Sequence, residues 1–105
     1  MKLRWAARAR SDIKEIGRFI ARDRPAAARG WVARLQDRAR PAARTPRAGR
    51  VVPEIGDPEV REVLVEHYRI VYRIRGKAIE ILTVFEGHRL LRRTDLAGDD
   101  SAARG

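Results

Sequence analysis

Few side chains in this 105-residue chain could do bond-making or bond-breaking chemistry. There is no cysteine, and the histidines are His67 and His88. His67 falls where two strands turn and His88 just after the last strand. Neither has a sequence neighbour that would pair it as an acid or base, so both read as exposed turn residues. Glu54, Glu59, Glu62, Glu66, Glu80 and Glu86 recur with strand alternation but not with metal-ligand spacing. Glu80 is expected to pair with Arg73 across strands. No nucleophile elbow, phosphate loop or zinc motif is present in the sequence, so neither a metal nor a cofactor is expected. What remains is cationic. An arginine clamps an anion well and moves a proton poorly, because its pKa lies far above neutrality.

The charge is unevenly placed. The chain carries 24 Lys+Arg against 14 Asp+Glu, a formal net charge of +10. Residues 1–50 hold 15 basic and 4 acidic side chains (+11), leaving 9 and 10 (−1) for residues 51–105. Such a field attracts polyanions: nucleic acid, an anionic surface or an acidic partner protein. Compositional drift in Arg- and Ala-rich helices with a solvated face is the competing reading. The length suits one domain with a modest core. The lack of cysteine fits a reducing cytoplasm. No apolar run approaches the roughly 20 residues that span a bilayer. The basic start, MKLRWAARARSDIK, has a faint transit-peptide look, but its helical pattern continues into the domain and is read as fold.

Positioning these charges falls to a small set of elements. Lys2 to Trp5 alternates like a short strand. Ala9, Ile13, Ile16 and Ile20 recur at helical spacing over Ala7 to Arg22, with Asp12 and Glu15 near the positive helix end. Asp23 as a cap and Pro25 in a first turn predict a second helix to about Arg40, carrying Ala28, Val32, Leu35 and Ala39 on one stripe and Trp31 beside it. Phe19 and Trp31 read as core or helix-seam residues, or else as an exposed docking patch. Pro41 to Gly49 is an irregular connection, and Arg50 to Ile55, broken by Pro53, a short or edge strand. Gly56-Asp57-Pro58 turns the chain into a meander over Val60 to Phe85. In Tyr68 to Arg75 one face reads Tyr, Ile, Tyr, Ile and the other Arg, Val, Arg, Arg, which predicts a half-buried strand with a cationic outer side. A two-residue turn at Arg75-Gly76 would pair Ile74 with Lys77, Tyr72 with Ile79, Ile70 with Ile81 and Tyr68 with Thr83. The fold class is therefore α+β: a short N-terminal strand, an αα-hairpin, then a three- to four-stranded antiparallel meander with the helices on one face. Residues 1–93 form the single domain and 94–105 a flexible tail.

This order of elements resembles the RelE/ParE superfamily of bacterial toxins from type II toxin–antitoxin modules. The resemblance rests on Ala9…Asp12-Ile13…Ile16…Phe19-Ile20 and Pro25…Ala27-Ala28. It continues through Gly49-Arg50-Val51-Val52-Pro53-Glu54, Val60-Arg61-Glu62-Val63, Tyr68-Arg69-Ile70-Val71-Tyr72 and Ile81-Leu82-Thr83-Val84, followed by Arg89, so it spans residues 1–93. It implies a small bacterial protein neutralised by an antitoxin, with one of two activities. The RelE-like branch cuts mRNA on the ribosome. The ParE-like branch poisons DNA gyrase and is not known as a nuclease.

Metal-free RNA cleavage needs a proton acceptor, a proton donor and cations on the phosphate. Carried over residue by residue, the ribonuclease branch would use Arg69 on the sheet, Arg89 after the last strand, and Arg61 near the place of a sheet lysine. A second sheet lysine has no counterpart, since Glu62 and Val63 stand there. No tyrosine follows Arg89, where Leu90 to Leu96 reads LLRRTDL. The departures favour the ParE-like branch: a gyrase inhibitor, not an enzyme, with the mRNA endonuclease as alternative and a non-toxic basic nucleic-acid-binding module as a third reading. Target-contact candidates are Arg69, Arg89, Arg92 and Arg93. Antitoxin-contact candidates are Phe19, Trp31 and Leu35. Arg69 could equally be the polar side of a strand, paired with Glu62 or Glu66. Strand parity tests the nuclease reading. A two-residue loop at Glu66-His67 pairs Leu64 with Arg69 and sends Arg61 to the opposite face, beside Val63 and Tyr72. A three-residue loop would gather Arg61, Arg69 and Arg73 on one face. Hydrophobic patterning favours the first.

Overall fold

The computed structural model describes residues 1–87 and 91–96. The elements are β1 (Lys2–Trp5), α1 (Ala7–Asp23), α2 (Pro25–Ala39), β2 (Arg50–Val51), β3 (Val60–Val65), β4 (Tyr68–Arg75) and β5 (Ala78–Glu86). Short 3-10 turns cover Arg40–Ala43, Pro46–Ala48 and Arg93–Leu96. The architecture is α+β with a sheet of five strands in the order β1-β5-β4-β3-β2. β1 runs parallel to β5, and the other neighbours are antiparallel. The expected meander therefore gains its fifth strand from the N-terminus, with Leu3 opposite Ile79 and Trp5 opposite Ile81.

The helices form where the apolar stripes place them. Ala9, Ile13 and Ile20 of α1 and Ala28, Leu35 and Ala39 of α2 are buried. Most of these join Ile70, Tyr72, Ile79, Ile81 and Val84 in one core between the hairpin and the sheet. Pro25 sits at the first position of α2, where its missing N–H costs nothing. The expected aspartate cap is absent: Asp23 is the last residue of α1, and Arg24 precedes α2 without a side-chain cap.

The β4–β5 turn is displaced from its expected place. Gly76 and Lys77 form the loop, so Arg75 pairs with Ala78, Ile74 with Ile79 and Tyr72 with Ile81. Gly76 at φ 58° supplies the positive φ that such a turn needs at its first position. The shift is two residues, an even number, so the apolar faces still coincide. A bulge then breaks the register between Val71 and Tyr72, putting Val71 opposite Thr83 and Ile70 opposite Val84. Asp12 answers the bulge from α1: its Oδ2 accepts the Thr83 hydroxyl at 2.5 Å and the Val84 N–H at 3.0 Å. A carboxylate expected to serve only the helix dipole thus ties α1 to β5.

The outer face of the sheet is also buried, contrary to the half-buried expectation. Val52, Ile55, Val60, Val71, Leu82, Phe85, Leu91 and Leu96 form a second core there. The segment between β2 and β3 and the segment after β5 fold back over that face. Ordered structure accordingly extends past residue 93: Asp95 and Leu96 are buried, and Asp95 accepts from Arg8 Nη2 at 2.9 Å. The rest of the expected tail, 97–105, lies outside the described residues.

Gly49 marks the tightest approach. A Cβ there would overlap the Tyr72 hydroxyl and lie 3.0 Å from the Glu62 carbonyl. That hydroxyl donates to the Pro46 carbonyl at 2.5 Å, fastening the connection to β4. Gly49→Ala should therefore lower stability by roughly 1–3 kcal/mol through overpacking, read as a lower denaturant midpoint with unchanged slope.

Candidate functional site

β3 and β4 are joined by the two-residue loop Glu66-His67, and Leu64 pairs with Arg69. Arg61 therefore stands opposite Tyr72, on the face away from Arg69. It donates to the backbone carbonyls of Pro58 at 2.9 Å, Arg47 at 2.9 Å and Gly49 at 3.0 Å. These bonds, not a carboxylate, compensate a guanidinium at the edge of the core. Arg61 and Arg69 cannot close on one phosphate. Arg89 and His88 lie outside the described residues.

Arg69 is not a free cation on an outer surface; it is 5% exposed. Its Nε donates to Glu62 Oε1 at 2.6 Å, and its Nη1 and Nη2 fork onto both Glu54 oxygens at 2.7 and 2.8 Å. The Phe85 ring lies 5.1 Å from its Cζ. Glu62, wholly buried, shares its other oxygen with the guanidinium of Arg50, whose Nε approaches to 2.7 Å. The Leu91 N–H donates to Glu54 at 3.1 Å. Two carboxylates and two guanidinium groups thus alternate along β2, β3, β4 and the segment after β2. The cost of burying each charge is offset by a bidentate or shared partner.

The titration behaviour follows from this geometry. The Arg69 hydrogen bonds outweigh burial and, with the Leu91 N–H, hold the Glu54 carboxyl down to about 2. Hydrogen bonding to Glu54, then to Glu62, outweighs burial and raises Arg69. Burial raises both Tyr68, helped by the Glu86 charge, and Tyr72. None of these groups is poised to exchange a proton near neutrality. Among the described residues no group of three or more His, Cys, Asp or Glu could hold a metal ion.

Arg69 thus donates inside the chain through Nε, Nη1 and Nη2. The expected Glu62 pairing is present, while Glu54 was overlooked as a partner although it stands in the VPE segment. Glu80 likewise departs from expectation. It opposes Arg73 in register, but its carboxylate takes Arg4 Nη2 at 2.6 Å. Arg92 is exposed, with its N–H donating to Asp95 Oδ2 at 2.9 Å, and Arg93 opens the last 3-10 turn.

The antitoxin-contact candidates also separate. Leu35 is fully buried in the first core, so it offers no surface to a partner. Trp31 is half-buried against that core, edge-on to Tyr68 at 5.8 Å and capped by Arg34 at 5.3 Å. Phe19 is 64% exposed. A groove of about 740 Å³ lies between β1 and the helices, and none of the three lines it. Leu3, Trp5, Ile13 and Val32 form its floor, and Arg4, Arg10, Lys14 and Arg18 its rim. Leu3 and Trp5 were legible as one side of a strand, but their place beside Val32 depends on the parallel pairing of β1.

A family model described as the ParE toxin of type II toxin–antitoxin systems, parDE, matches residues 3–91. Among solved structures, one described as a chromosomal ParDE toxin–antitoxin system from P. aeruginosa superposes with a TM-score of 0.72 at 25% identity, covering 82% of this chain and 95% of that one. No curated protein matches the sequence.

Two outcomes follow from the ion network. Because the folded carboxyl of Glu54 titrates near 2 instead of 4.5, its stabilisation is complete above pH 4.5 and is lost as pH falls toward 2. Glu54→Gln should flatten that part of a stability-versus-pH curve. Arg69→Ala leaves Glu62 buried without its inner partner and should cost about 3–5 kcal/mol, measured by chemical denaturation at neutral pH.

Proposed function

Because this chain belongs to the ParE toxin family of type II toxin–antitoxin systems, we propose that it is a toxin that inhibits DNA gyrase by binding and is neutralised by a cognate antitoxin. The observation that carries the non-catalytic reading is the Glu54–Arg69–Glu62 network. On the sheet position where a ribonuclease of this superfamily would present a phosphate clamp, this chain presents a guanidinium already filled by two carboxylates. A phosphate would have to displace both. Of the carboxylates that fill it, Glu54 is held down to about 2, too weak a base near neutrality, and the two tyrosines hold their protons more tightly than a free phenol. Inhibition by stoichiometric contact needs none of these groups.

Neutralisation is assigned to the groove between β1 and the helices. Its apolar floor and four-cation rim fit an acidic amphipathic segment: charge steers the encounter and apolar side chains hold the complex. Lys14 and Arg18 are exposed on α1, so reversing them leaves the core intact.

Purified chain added to gyrase should block supercoiling or trap cleaved DNA at stoichiometric ratios and leave ribosome-bound mRNA whole. Cleavage of that mRNA by the chain, with gyrase unaffected, would move it to the endonuclease branch. The charge-reversed variant Lys14→Glu/Arg18→Glu should bind the product of the adjacent operon gene at least about tenfold more weakly by calorimetry at low salt, with a smaller difference at high salt.

A further inference from the structure

The surplus of positive charge makes the fate of each carboxylate informative. Most described acids are engaged: Glu80 with Arg4, Asp95 with Arg8, Glu66 with Arg34, Asp37 with Arg40, Glu59 with Arg47, and Glu54 and Glu62 with Arg69. Glu15, Asp23 and Glu86 have no ion pair among the described residues, although Arg22 lies between two of them in sequence. On α1, Glu15, Phe19 and Asp23 follow at four-residue steps and share one face. Glu86, at the end of β5, lines the same depression as Glu15.

That depression is about 270 Å³, with apolar walls from Ile16, Phe19, Val84 and Phe85 and an acidic rim from Glu15 and Glu86. Phe19 beside it is 64% exposed, a large aromatic surface left in water by the fold. Burying a side chain of this size at an interface removes a large apolar area from water. The rim has the opposite sign to the groove at β1, so one acidic segment cannot suit both.

We propose that the Phe19 depression docks a polypeptide segment in which lysine or arginine flanks a leucine-sized side chain. The apolar side chain enters against Phe19 and Ile16, and its cationic neighbours reach Glu15 and Glu86. Those carboxylates then gain the ion-pair partners that they lack among the described residues, in a partly desolvated setting where the pairing outweighs an exposed surface pair. The site is separate from the basic groove. Its failure would leave the gyrase and antitoxin readings untouched, since those rest on the Arg69 network and on the β1 groove.

The test uses two blocked hexapeptides, one alternating lysine and leucine and the other glutamate and leucine, titrated into the full ¹⁵N-labelled chain. The lysine peptide should shift the amides of Ile16, Phe19 and Glu86. Its affinity should fall about tenfold or more in Phe19→Ser and in Glu15→Lys/Glu86→Lys. These substitutions sit on exposed positions, and an unchanged remainder of the spectrum verifies their fold. The glutamate peptide should instead shift Trp5 and Lys14. Equal binding of both peptides at Phe19, no shift there with the lysine peptide, or affinity indifferent to the substitutions would overturn the proposal. So would a concentration-dependent dimer abolished by Phe19→Ser with which the lysine peptide does not compete, because the occupant would then be a second copy of the chain.

Discussion

The structure depends on one buried guanidinium. Arg69 sits on β4 with its guanidinium near the Phe85 ring and its Nε, Nη1 and Nη2 donating to Glu62 and Glu54. Without it, Glu62 would be a carboxylate in the sheet interior held only by the half-exposed Arg50, and the segment after β2 would lose its attachment. Through Glu54 the same guanidinium reaches the Leu91 N–H, and so the segment after β5. Two stretches without regular strand structure are thereby held over the outer face, and the second core forms beneath them. The network is polar scaffolding for an apolar cluster.

This arrangement explains why a shared fold need not share chemistry. A nuclease must leave its phosphate clamp unfilled until substrate arrives, which costs stability in the free protein. Here the clamp position is satisfied from within, and the stabilisation goes to the fold. The surface carries a cationic groove at β1, an aromatic side chain with an acidic rim near the end of α1, and exposed arginines such as Arg92. The two depressions carry rims of opposite charge.

Much of the fold was legible because its signals were local. The stripes on α1 and α2, the proline at the start of α2 and the alternation of Tyr68 to Ile74 each act within a few residues, and α1, α2 and β4 lie within a residue of their expected bounds, while β2 ends at Val51 instead of Ile55. Parity placed Arg61 away from Arg69, since one loop length decides it. The misses came from contacts distant in sequence. The parallel pairing of β1 with β5 joins the chain start to its last strand, and the Asp12 contact at the bulge spans 72 residues. The burial of both sheet faces had a sequence signal in β5, whose Ile79, Ile81, Leu82, Val84 and Phe85 do not alternate cleanly. Leu35 was read as a surface anchor because a helical stripe does not say whether its apolar face meets a partner or the protein's own sheet.

On this reading the Arg69 network builds the fold and performs no chemistry. The direct measurement is to replace it as a unit, Glu54→Leu/Glu62→Met/Arg69→Met, because apolar side chains of similar volume can substitute for a buried ion network while a single removal strands a charge. Growth arrest on induction without antitoxin is then compared with wild type, alongside circular dichroism and the denaturation midpoint of the purified protein. A folded variant that still arrests growth is expected. A variant that is folded, equally stable and harmless would contradict this reading, and would place Arg69 in the toxic act itself.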